Sequence, residues 1–309
     1  MNSGAPQSTF TATGEEAARI ADLTVLMSAA GAFIFAFVLV AGWAAFYGPH
    51  DLRARLRTPA MVIGAGIIFP TVTLGALLIY GFTILNAGAA SASDPPAATI
   101  HVVGKQWWWR VIYETPDGRR VESANEVRLP VGRNVRFVLT SDDVIHSFWI
   151  PAFGGKLDMI PGRENVMHVR VREPGETRGQ CAEYCGGAHA FMAFRVVAMQ
   201  EAAFTEWLDA EAGPAVNLQH PGRTTFVQAG CGACHSVRGA GAYGQAGPDL
   251  THLGGRRSLG ADVLDTSAAN ITDWIARHQE LKPDNLMPPF DYLSDAERAE
   301  IGAWLASLE

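Results

Sequence analysis

All four cysteines of this chain fall in two short stretches, and each stretch has the spacing of a metal or cofactor site. In Cys181-Ala-Glu-Tyr-Cys185 two thiols stand four positions apart, and His189 and Met192 follow on the same run. Two such thiolates can reach one centre where a loop curls around it, and His146 would arrive from the end of an earlier segment. Two Cys, two His and one Met form a soft nitrogen and sulfur set that suits copper and suits magnesium or calcium poorly. A single blue-copper centre needs one thiolate, so the second cysteine points to two copper ions bridged by both sulfurs. Bridges of that kind spread one electron over two metals and leave no open position for substrate. The chemistry is electron transfer.

The second stretch, Cys231-Gly-Ala-Cys234-His235, is C-x-x-C-H, in which both thiols bind haem covalently and the histidine binds its iron. A methionine is the expected partner ligand for a useful potential, and Met287, in Asn-Leu-Met-Pro-Pro-Phe, is the methionine that follows the motif. His252 and His278 are its rivals. Two disulfides would be the other use of four cysteines in an exported chain, and a zinc or redox pair the other use of C-x-x-C. The ligand spacings argue against both.

These residues need elements to hold them. Leu23 to Pro49 carries no charge, and neither does Thr58 to Ser93, whose apolar part is Met61–Leu85. Each run exceeds the roughly 20 residues that span a bilayer as a helix, and neither has a polar face. The connection between them carries Arg53, Arg55 and Arg57 against Asp51, whereas the leader has Glu15, Glu16 and Asp22 against Arg19. Positive charge inside therefore predicts a hairpin with its turn in the cytoplasm and both ends outside. Pro70 predicts a kink in the second helix. Beyond the linker, short β-branched and aromatic runs bounded by Pro-Asp-Gly and Pro-Gly turns predict an antiparallel barrel or sandwich over 96–210. One of them contains Trp107, Trp108 and Trp109, which cannot all face one side of a strand. A linker at 211–220 leads to Gly-rich loops and helices over 221–309, the last amphipathic with Ile301, Trp304, Leu305 and Leu308 on one face. Residues 1–22 form an outer-face segment, and the predicted membrane helices span about 23–47 and 61–85.

Asp142-Asp-Val-Ile-His-Ser-Phe-Trp-Ile-Pro151, Leu157-Asp-Met-Ile-Pro-Gly-Arg-Glu-Asn165 and Cys181 to Met192 together resemble subunit II of haem–copper cytochrome c oxidases. The C-terminal part, with Gly247-Pro-Asp-Leu-Thr-His-Leu-Gly-Gly-Arg256, resembles class I cytochromes c, and the whole resembles subunit II of a caa-type oxidase. The resemblance implies a hairpin anchor, a cupredoxin-like Greek-key barrel and an all-α cytochrome c domain. It implies a dinuclear copper A centre held by His146, Cys181, Cys185, His189, Met192 and the backbone carbonyl of Glu183. It also implies a magnesium ion touched by the Glu183 carboxylate at the contact with subunit I, and Trp107 as the residue through which electrons enter. One covalent haem c on Cys231 and Cys234, with His235 and Met287 as axial ligands, completes the set.

The implied partners are subunit I, which reduces oxygen and pumps protons, subunit III, and a donor such as a soluble or membrane cytochrome c or a cytochrome bc complex. The implied setting is a bacterial inner membrane with both cofactor domains on the periplasmic face. Many relatives begin their second helix with Glu-x-x-Trp-Thr at a proton-uptake mouth. That pattern is absent from Arg57-Thr-Pro-Ala-Met61, so a proton-uptake role is not carried over. A copper-containing subunit of a nitric oxide reductase and a membrane-tethered carrier without an oxidase partner are the alternatives, while a quinol oxidase subunit would lack these copper ligands. A net charge of −7 with no basic stripe argues against a nucleic-acid partner.

Overall fold

A computed structural model describes residues 7–115 and 117–309 of the chain. Residues 1–6 of the expected outer-face segment and Pro116 of the expected Pro-Asp-Gly turn lie outside the described residues.

Ala18–Asp94 form a unit of their own. Helix α1, Glu15–Tyr47, starts eight positions before the charge-free run, because Glu15 and Glu16 are well placed in a first helical turn. A short helix α2, His50–Leu56, carries Arg53 and Arg55. The second apolar segment runs as α3, Pro59–Ile63, a π-helical stretch at Gly64–Ile68, and α4, Phe69–Ala92. The π turn ends just before Pro70, whose ring would clash with the carbonyl four residues back in an unbroken α-helix. Both spans are long and apolar enough to cross a membrane. Leu26, Phe33, Val38, Val72, Leu78 and Phe82 are exposed along them, which is a surface suited to lipid rather than water.

The β domain is two five-stranded sheets packed face to face. The first has the order β3-β2-β1-β5-β8, from β1 (Ala98–Lys105), β2 (Trp108–Glu114), β3 (Arg120–Ala124), β5 (Asn134–Ser141) and β8 (Asn165–Arg170). The second has the order β4-β10-β9-β6-β7, from β4 (Glu126–Pro130), β6 (His146–Trp149), β7 (Lys156–Met159), β9 (Gly175–Cys181) and β10 (Ala193–Met199). Most ladders are antiparallel, but β1 pairs with β5 and β4 with β10 in parallel. The chain crosses to the opposite sheet at β4 before returning as β5, which reverses the hairpin sense. Alternation places Ile100, Val102, Phe137 and Leu139 inside. Trp109, Phe148 and Phe194 fill the centre, with the last two rings stacked at 4.8 Å. Helix α5, Glu201–Glu211, closes one side through Phe204 and Trp207 against Tyr113.

The C-terminal domain packs α6 (Pro221–Gln228), α7 (Ala268–Leu281) and α8 (Asp295–Ala306) around Phe226, Ile271, Ile275 and the expected face of α8. Ser294 and Glu297 form a reciprocal capping box that starts α8. A Cβ on Gly302 would overlap Thr272, so this glycine sets how closely α7 and α8 approach. His220 caps α6 by accepting from Gly222 N at 3.0 Å. The 212–220 linker is not a loose tether. Ala215 is buried, and Asn217 donates to Ser307 O while its own carbonyl accepts from the Trp304 indole.

Candidate metal centre and haem cavity

The end of β9 delivers Cys181, the start of β6 delivers His146, and the loop between β9 and β10 curls back over both. His146, Cys181 and Cys185 are buried and present ligand atoms within 4.8 Å of one another. The two sulfurs lie 3.8 Å apart, His189 Nδ1 is 3.5 Å and Met192 Sδ 3.7 Å from Cys185, and the Glu183 carbonyl is 3.1 Å from Cys181 Sγ. All five side chains singled out by spacing therefore converge, together with the one backbone oxygen. Only the Glu183 side chain turns outward and is exposed.

Three partners that spacing did not single out orient the group. Asp143 Oδ1 sits 2.8 Å from His146 Nε2, which turns Nδ1 toward the sulfurs, and its other oxygen accepts from Gln106 N. Gly104 on β1 lies against the His146 ring, where a Cβ would collide. Burial opposes an imidazolium at His146, but hydrogen bonds with Cys181 and Asp143 lift it above its ordinary value. The hydrogen bond from Cys185 is the largest influence drawing the Cys181 thiol down, to about 4, and the same contact pushes Cys185 up. Ionising the second sulfur beside the first needs a cation to offset their repulsion. The set fits soft metal ions in contact with both sulfurs.

A cavity of about 410 Å³ lies between the cytochrome domain and the β domain, reaching Gln106 and Trp107, whose side chains donate to the Cys185 carbonyl. The cytochrome side of its wall includes Cys231, Cys234, His235 and Met287, and the β domain contributes Trp107 and Trp108. His235 is held with Nδ1 2.8 Å from the Pro248 carbonyl, leaving Nε2 free to bind iron, and burial pulls its pKa below the usual histidine value. A neutral imidazole is what an iron ligand requires. Arg256 also lines the cavity, buried, with Nε and Nη2 lacking a partner among the described residues. An orphaned guanidinium in a largely apolar cavity fits a group carrying carboxylates, as haem does.

Neither rival histidine lines this cavity. His278 Nε2 lies 2.9 Å from the Met287 carbonyl and steadies that loop from behind, while His252 Nε2 faces the Gly213 carbonyl at 3.2 Å. Gly247 touches the His235 ring, and a Cβ there would overlap it. Gly247→Ala is expected to tilt that ring and lower haem occupancy severalfold, read as covalent haem per chain. Full occupancy with an unchanged spectrum would show that the ring can yield.

Trp107 is buried, and the cytochrome domain covers it. Its indole donates to the Cys185 carbonyl at 3.0 Å, beside Gln106 Nε2 at 2.8 Å. Trp108 is flanked by Lys105 and Arg110 cations, and Trp109 lies in the core with its ring 6.1 Å from His146.

Comparison with known proteins matches this division of the chain. Residues 113–199 match the family model for the periplasmic domain of cytochrome c oxidase subunit II, and residues 219–309 match that for cytochrome c. Cytochrome c oxidase subunit 2 of Alkalihalophilus pseudofirmus is 31% identical over 295 residues, covering 92% of this chain and 84% of that protein. The chain belongs to the cytochrome c oxidase subunit II family. The Bacillus subtilis member is also 31% identical, over 69% of this chain and 63% of its own length. Among solved structures, the periplasmic domain of subunit II from Bradyrhizobium japonicum aligns at 34% identity over 38% of this chain and 95% of its own, with a TM-score of 0.36. Membership implies copper A in the β domain, haem in the C-terminal domain and an oxidase subunit I as partner. It is a membrane protein with an outward-facing domain.

Proposed function

We propose that this chain takes electrons from an external donor at its cytochrome domain and hands them through its β domain to subunit I. There oxygen would be reduced to water and protons pumped. When bound, haem c and dinuclear copper A would each accept and release one electron without making or breaking substrate bonds. Cys231 and Cys234 would tether the haem, with His235 and Met287 on its iron. His146, Cys181, Cys185, His189, Met192 and the Glu183 carbonyl would hold two copper ions. The Glu183 carboxylate, exposed beside the centre, would meet magnesium at the subunit I contact.

One observation carries this reading. The same indole that lines the haem cavity donates to the carbonyl of a copper-site cysteine. Trp107 thus offers a short bonded route between the two sites, with no free encounter between domains required. A tethered donor gains an effective concentration near millimolar, and a docked one gains fixed geometry as well. Subunit III, a soluble or membrane cytochrome c or a cytochrome bc complex as donor, and a bacterial inner membrane with the cofactor domains in the periplasm complete the assignment. The Arg-bearing helix α2 between the spans supports that orientation.

Replacement of Trp107 by Phe in the purified oxidase tests the route. The indole N–H is lost, and haem-to-copper transfer after flash reduction should slow at least tenfold while both cofactors remain. Transfer at the unaltered rate would remove Trp107 from the path. Turnover with oxygen and not with nitric oxide is the companion expectation, and it separates the oxidase from a nitric oxide reductase. Purification without a large haem-bearing membrane subunit would favour the free carrier instead.

A further inference from the structure

Lys282 caps the C-terminal end of α7 and is buried, yet it belongs to neither ligand set. Its ammonium donates to two backbone carbonyls, Trp107 O at 2.6 Å and Gly260 O at 3.1 Å. The first belongs to the β domain and the second to the cytochrome domain. Burying an ammonium in a wall shared by two domains is costly unless its hydrogen bonds are met, and here one acceptor lies across the seam and the other within its own domain. The turn that follows is stiffened by Asn285, which donates to the carbonyls of His278 and Lys282 and accepts from Met287 N. Within that turn, Asp284 presses on Gly187 of the copper loop, where a Cβ would overlap its carboxylate. One short segment therefore touches Trp107 and the copper loop at one end and carries Met287 at the other.

We propose that Lys282 is a positioning residue for electron transfer between the two centres, fixing Trp107 against the cytochrome domain while the indole holds the Cys185 carbonyl. This rests on the reading of Trp107 as the route. The carbonyl end of Trp107 is tied to Lys282 and the indole end to Cys185. Without the ammonium the Trp107 carbonyl loses its tie to the cytochrome domain, while the indole keeps its bond to Cys185. The residue acts through Trp107 and touches no reacting atom.

The test is a double-mutant cycle in the intact, cofactor-loaded oxidase. Lys282→Met should slow haem-to-copper transfer after flash reduction at least tenfold, with haem content and the copper near-infrared band retained. Burial pulls the Lys282 ammonium down to about 7, so below that pH the haem midpoint potential should also fall, because a cation has left the cavity wall. In Trp107→Phe background the same substitution should add little, since both changes break one path. An unaltered rate in Lys282→Met, or losses that multiply in the double variant, overturns the proposal. Should the methionine variant fail to take up haem, Lys282→Arg replaces it. In the same rotamer its Cζ, not a nitrogen, falls where Nζ meets both carbonyls, so a tenfold loss is again expected, with a cation kept in the wall, and an unaltered rate overturns the proposal. Trp107→Phe at full speed with Lys282→Met slow would instead sink the route while leaving Lys282 necessary in another way.

Discussion

Replacing Cys185 with Ser is expected to remove the proposed dinuclear copper centre while leaving the haem untouched. Cys185 sits at the middle of the ligand set: Cys181, His189 and Met192 all approach its sulfur within 3.8 Å. A hydroxyl at that position is a hard, protonated donor at neutral pH and cannot bridge soft metal ions. What remains is one thiolate with imidazoles and a thioether, a set suited to a single copper. Metal analysis of the purified oxidase should fall from two coppers per chain in this subunit to one or none. The hyperfine pattern of an electron shared by two equivalent copper nuclei should vanish. Electron delivery to subunit I should fall by orders of magnitude, with covalent haem still at one per chain. Two coppers retained with the shared-electron signal would show that Cys185 is not a bridge.

The second large effect concerns how the domains are held together. Asp262, buried in the cytochrome domain, pairs with Arg178 on β9 at 2.5 Å and with Arg195 on β10. Asp265 reaches Arg195 as well, at 3.3 Å. Ala261 and Asp262 both adopt left-handed backbone, φ 65° and 68°, a conformation non-glycine residues avoid unless their surroundings enforce it. Here the arginines pair with the Asp262 side chain and Ala193 N donates to the Ala261 carbonyl. Asp262→Asn keeps the shape and tolerates the backbone but leaves Arg195 nearly buried beside a neutral amide. Breaking a buried pair costs about 3–5 kcal/mol. Arg178 is partly exposed and Asp265 remains, so the lower end applies, and about 3 kcal/mol is roughly a hundredfold in equilibrium.

The amides of Ala193 and Arg257 donate across the same seam, to Ala261 O and to the Glu126 carboxylate. Their hydrogen-exchange protection should fall about a hundredfold, while amides inside each domain keep theirs. Equal protection in the variant and the unaltered protein would show that apolar contact, not this ion cluster, holds the domains.

The convergence of Cys181, Cys185, His189 and Met192 was legible because the four share one loop, and Cys231 to His235 share one turn, whereas His146 and Met287 stand 35 and 52 positions away and no spacing ties them to the rest. The apolar face of α8 was legible for the same local reason, since periodicity reports burial directly. What lay hidden depends on residues far apart in sequence. Lys282 meets Trp107 across 175 positions and Asp262 meets Arg195 across 67, and no local pattern marks either. Asp143 left a faint trace, standing three residues before His146 in a Ser-Asp-Asp turn. The covering of Trp107 could not be read at all, because burial by a neighbouring domain leaves no mark on a strand's alternation. The parallel pairs β1–β5 and β4–β10 were hidden for a related reason, since alternation fixes which face is buried and not the direction of the neighbouring strand.

The most direct measurement is transient absorption on the purified oxidase after the haem of this subunit is reduced by a light pulse. Loss of the ferrous haem signal and bleaching of the copper near-infrared band should follow one first-order rate. That rate should be unchanged by protein concentration and by added soluble cytochrome c, as a docked relay within one chain requires. A rate that rises in proportion to concentration, or copper reduced only through an added carrier, would contradict it.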